Sequence, residues 1–131
     1  MIPTPMAAGL HLRDMVILAV GTNKLSLIGT FEAVRVNRLP ALPRPFCVVA
    51  FLTNGLGTGE LDPSVAHLGG GEQVYSRRGT QYFPDRFSLV RLVFRIQDFG
   101  YPAPGVYSFS LAVDGEWVAS RRLRVYQGDV E

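Results

Sequence analysis

One cysteine, Cys47, occurs in the 131 residues, so no disulfide can form within the chain. Histidine is almost as scarce, with His11 and His67 alone. A zinc site wanting three or four converging Cys, His or carboxylate ligands has little to draw on. No apolar run approaches the ~20 residues of a membrane-spanning helix. No basic start followed by an apolar stretch marks a signal peptide, since Pro3, Pro5 and Gly9 interrupt the opening residues. No segment keeps a helical period over ten residues, which argues against a helical domain. Lysine is reduced to Lys24; the other twelve basic residues are arginines, and the formal net charge is only +2. Codon preference explains such a bias blandly, and recognition of carboxylate or phosphate by the planar guanidinium explains it sharply.

What is present is alternation. Tyr107, Phe109, Leu111 and Val113 interleave with Val106, Ser108, Ser110 and Ala112, and the first set is expected to face a core. Asp114-Gly115 follows, the pair best suited to the positive φ angles of a two-residue hairpin turn. Counting back from the turn pairs Val113 with Glu116, Ala112 with Trp117 and Leu111 with Val118. Leu123 and Val125 are core candidates of the opposite parity, so a bulge is expected within Ala119-Ser120-Arg121-Arg122. Val90, Leu92, Phe94 and Ile96 form another inward face, with Arg91, Val93 and Arg95 outward.

Upstream, Leu10 to Val20 reads as a strand covered on both faces. Leu25 to Val36 reads as its return strand, interrupted at Gly29. Three prolines between Leu39 and Pro45 make an extended crossing from one sheet to another. Phe46 to Thr53 is a further buried strand. The glycine-rich stretch from Asn54 to Gly71 is expected to be a long loop with one short strand near Val65 to Leu68. Glu72 to Ser76 is another short strand, and Tyr82-Phe83-Pro84-Asp85 a corner. The composition, 47% hydrophobic and 18% charged, is globular. The expected fold is an all-β, antiparallel two-sheet sandwich of seven or eight strands, immunoglobulin-like in architecture. Residues 1–9 form an irregular lead, 10–127 a single domain and 128–131 a tail.

The run Asn23 to Phe31, the proline crossing ending in Pro45-Phe46, the corner Tyr82 to Arg86, and Tyr101-Pro102-Ala103-Pro104-Gly105-Val106-Tyr107 with Val113-Asp114-Gly115-Glu116 together resemble a family of uncharacterised bacterial proteins. The resemblance runs from about Leu10 to Tyr126. It implies a small cytoplasmic all-β sandwich without assigned activity, and it carries over no catalytic or binding residue.

Reactive constellations are thin. Ser64, His67 and Asp62 hold the residue types of a nucleophilic site, but their spacing does not bring them together. Glu60 and Asp62 could offer oxygen ligands to calcium. Gly69-Gly70-Gly71 could cradle a phosphate, except that a strand rather than a helix follows. The expectation is therefore no catalysis, no cofactor and no metal, with a hydrolase or metal-dependent enzyme built on His67 and the glycine-rich loop as the alternative. Arg91, Arg95, Arg121 and Arg122, with Arg77, Arg78 and Arg124, could converge into a patch for an acidic partner or a nucleic-acid backbone. Eleven acidic residues nearly balance the basic ones, which makes nucleic acid the weaker of the two. Protein association has the best physical motive: Trp117 on an outer face among small residues Ala112, Ser110 and Ala119, an anchor for a partner or a second copy. The competing expectation is that the proline-rich lead covers Trp117 within the same chain. The expected setting is a cytoplasmic protein without membrane contact.

Overall fold

The computed structural model describes residues 4–18, 20–22, 24–30, 33–36, 38–39, 45–97 and 99–128. Among them are ten strands and no helix: β1 (Met6–Leu18), β2 (Leu25–Thr30), β3 (Ala33–Val36), β4 (Phe46–Thr53), β5 (Gly57–His67), β6 (Gln73–Ser76), β7 (Gly79–Phe83), β8 (Val90–Ile96), β9 (Gly105–Val113) and β10 (Glu116–Gln127). They make two sheets. The smaller has the order β2-β1-β4-β8, the larger β3-β10-β9-β5-β6, with β7 also on β5. Every pairing is antiparallel except β3 on β10. This is the expected immunoglobulin-like sandwich, with more strands than the seven or eight anticipated.

Alternation builds the interior. Leu10 and Leu12 of β1, Val48, Ala50 and Leu52 of β4, and Leu92 and Ile96 of β8 supply the inner face of the small sheet. Leu61, Val65, Tyr107, Phe109, Leu111, Val113, Leu123 and Val125 supply the other. Burial of such side chains contributes about 1.5–3 kcal/mol each before chain entropy is charged against it.

The hairpin forms at Asp114-Gly115, with φ of 53° and 80°, and pairs Val113 with Glu116 and Ala112 with Trp117. The bulge, however, lies between Trp117 and Ala119, before the tetrapeptide in which it was expected. Leu111 therefore faces Ala119 rather than Val118. One extra residue at Val118 returns Leu123 and Val125 to the core parity.

Three other expectations are corrected. Strand β1 starts at Met6 and is not covered on both faces, for Met15, Ile17 and Leu18 are exposed; β4 is the strand buried on both. The return strand splits after Thr30, so β2 joins the small sheet and β3 the large one. At Gly29, φ is +78° and an added Cβ would collide with the Asp14 side chain, so only glycine fits. The glycine-rich stretch is no loop: Gly57–His67 is an eleven-residue strand in the middle of the large sheet. Leu39 packs on the core and Pro45 is exposed, while residues 40–44 of the expected crossing lie outside the described residues.

Candidate functional site

The larger sheet turns a face of small polar residues outward. Ser120 of β10 pairs with Ser110 of β9, Ser110 with Ser64 of β5, and Ser64 with Ser76 of β6, a rung of four serines across the sheet. One rung toward the hairpin stand Trp117, Ala112 and Asp62. One rung the other way stand Arg122, Ser108 and Ala66. Trp117 is 66% exposed beside these small residues. The described part of the lead does not cover it, because Met6 to Gly9 pair with β4 in the opposite sheet. Ala119 leaves the expected patch: the bulge places it opposite inward-facing Leu111, where it packs on the core.

The arginines do not meet in one patch. Arg91 and Arg95 project from the outer face of the small sheet, opposite Phe51 and Cys47 of β4. Arg121, Arg122 and Arg124 line a depression of about 400 Å³ on β10, beside Val106. Arg121 pairs with inward-facing Phe109, and its charge reaches His11 on β1. His11 is held below its ordinary value of 6.5, first by burial and then by Arg13 and Arg121.

Asp62, Ser64 and His67 are not brought together. Asp62 and Ser64 share the outer face of β5, while His67 has the parity of buried Leu61 and Val65. Asp62 accepts a 3.0 Å hydrogen bond from Ser76. The imidazole of His67 donates from Nε2 to the Pro104 carbonyl at 3.1 Å and lies against the Tyr107 ring, centroids 4.8 Å apart. A carbonyl only accepts, so this contact fixes the Nε2 proton and gives His67 a structural post. Gly69 and Gly70 belong to the turn between β5 and β6, closed by the Gly71 amide donating to the His67 carbonyl at 2.7 Å. No helix follows to cradle a phosphate. Glu60 and Asp62 both lie near Arg78, at 3.7 and 3.9 Å, and no cluster of three potential metal ligands occurs among the described residues. Cys47 is buried in β4.

Sequence reasoning missed several surfaces. Phe87 is 95% exposed on a loop tied by Asp85, whose carboxylate accepts from the Phe87 and Ser88 amides and the Ser88 hydroxyl, each at 2.8 Å. Those bonds, the Ser88 hydroxyl first, hold the Asp85 carboxyl below its ordinary range. A groove of about 350 Å³ also opens between β8 and the fork of β5, β6 and β7. Its cause is legible in retrospect. Pro63 has no N–H to donate, and the chain turns outward at Arg77 between β6 and β7, with the Arg77 amide on the Pro63 carbonyl.

Residues 12–126 match the model of a family of unknown function, DUF6941. No curated protein matches the chain. Among solved structures, the CARDB domain of a Pyrococcus furiosus protein, in complex with di-metal ions, is similar at TM-score 0.44 and 15% identity, over 94% of this chain and 90% of that one. A β-glucosidase from Listeria innocua is similar at TM-score 0.49 and 9% identity, over 94% of this chain and 16% of the enzyme. An alkylpurine DNA glycosylase from Pseudomonas fluorescens, bound to DNA containing an abasic-site analogue, gives TM-score 0.43 and 9% identity over 88% and 30%.

Proposed function

We propose that this chain, which belongs to the DUF6941 family of unknown function, is a non-catalytic β-sandwich module that binds or assembles through the outer face of its larger sheet, with a second copy as the partner. The observation that supports this is Trp117, two-thirds exposed beside Ala112 at the edge of the serine rung. A large aromatic among small, weakly polar residues has the composition of an interface anchor. The charges on that face are self-complementary. Arg122 and Arg124 lie at one end on β10, and Asp62 and Glu60, which share Arg78 between them, at the other on β5. A second copy crossing the face about a two-fold axis sets unlike charges over each other. A reducing cytoplasmic setting suits the buried lone thiol of Cys47.

Sedimentation velocity tests the reading. The wild type should self-associate with rising concentration, and Trp117→Ala should remain monomeric while unfolding within about 0.5 kcal/mol of the wild type. A wild-type monomer at the highest soluble concentration would sink the homo-oligomer.

A further inference from the structure

We infer that the open edge of β8 is an acceptor for an extended, acidic peptide segment of another protein, which would add as a fifth strand to the small sheet. This site lies away from Trp117 and stands or falls separately from the assembly face. The small sheet ends at β8, and no described strand pairs its far side. An edge strand presents a row of peptide N–H and C=O groups that another strand can satisfy.

The side chains along that edge specify the guest. The groove beside β8 holds apolar ground in Tyr75, Val93 and Phe94 and cations in Arg77, Arg78 and Arg95, with no carboxylate among its lining residues. Arg78 already faces Glu60 and Asp62 from the far rim, and Arg95 Nε donates to the Gln97 side chain at 3.3 Å. Val93 is exposed beside Arg95, so β8 turns out an apolar side chain next to a cation. A guest strand alternating carboxylate and aliphatic residues matches that order.

The same order disfavours a second copy. Pairing β8 antiparallel with its own counterpart about Arg95 sets the two Arg95 guanidinium groups directly opposite each other, and like charges directly opposite are destabilising. Nucleic acid could satisfy the guanidinium groups but not the peptide edge. An acidic strand satisfies both.

The experiment titrates the full-length protein, isotope-labelled for amide NMR, with a synthetic peptide alternating Glu and Val. Shifts confined to Val90–Ile96 and Arg77–Gly79 are expected. Binding should weaken about tenfold or more in Arg95→Glu, and similarly for a peptide N-methylated at alternate residues, which keeps the charge but cannot pair its backbone. Because Arg95→Glu could perturb the sheet, the N-methyl peptide supplies the independent reading on unaltered protein. A Lys-Val peptide should not bind. Undiminished binding of the N-methyl peptide, shifts mapping elsewhere, tighter binding of oligothymidylate, or no binding of the Glu-Val peptide at all would overturn the inference.

Discussion

The Tyr107 hydroxyl donates a 2.6 Å hydrogen bond to the carbonyl of Ala103, four residues back, and lies 3.3 Å from the Ala103 amide, which donates to it. This ties the approach to β9 onto β9 itself, the device known in immunoglobulin-like sandwiches as a tyrosine corner. Tyr107→Phe removes the acceptor and donor together and leaves both Ala103 groups without it. The expected cost is about 1–3 kcal/mol, read as a lower urea midpoint at unchanged slope.

Tyr101, its neighbour in the aromatic cluster, should respond with the opposite sign. Its ring is fully buried against Phe99 and Tyr107, and its hydroxyl has no hydrogen-bond partner among the described residues. Burial pushes its ionisation well above the ordinary 10.0, so the group stays neutral. Tyr101→Phe deletes a desolvated hydroxyl and keeps the ring. The unfolding free energy should stay level or rise, by up to about 1 kcal/mol, read as an unchanged or higher urea midpoint; a loss comparable with that of Tyr107→Phe would show a hydrogen-bond partner for the hydroxyl.

Gly105 opens β9 at φ +135°, and a Cβ there would stand 2.7 Å from Nε2 of His67, the nitrogen held by Pro104. Gly105→Ala should destabilise by about 1–3 kcal/mol. Combining it with His67→Ala should recover the part due to crowding and leave the backbone part, so the two changes are non-additive in a double-mutant cycle.

Acid should weaken the fold through His11. Burial, Arg13 and Arg121 lower its folded value below 6.5, so the unfolded chain binds more protons in that region. Its contribution is fully present above 6.5 and is lost as the pH falls through the depressed folded value. Urea midpoints measured across that window should fall less steeply for His11→Gln than for the wild type.

Strands with one wet face were readable from sequence because polar and apolar residues alternate in β8 and β9, and Asp114-Gly115 fixed the hairpin register. β5 escaped the same test. Its buried positions are Gly59, Leu61, Pro63 and Val65, a period of two carried partly by a glycine and a proline, neither of which favours a strand. The bulge at Val118 was foreseen in kind but not in place, because parity alone says that one residue is extra and not which. Trp117 was legible as an outer residue. The β8 groove was not, since its lining comes from four separate strands, β5, β6, β7 and β8, and the turn between two of them, meeting at one edge.

The topology also dictates an order of construction. All four strands of the small sheet precede Gln97, whereas β3 and β5 reach each other only through β9 and β10. A ribosome-bound chain that has not yet exposed Gly105 can form the first sheet but has only β5, β6 and β7, with Leu61, Val65 and Phe83, to lay over Leu12, Val48 and Leu52. The final hairpin completes the cover for that greasy surface. Until it emerges, part of that apolar surface stays open to water, the condition under which nascent chains aggregate.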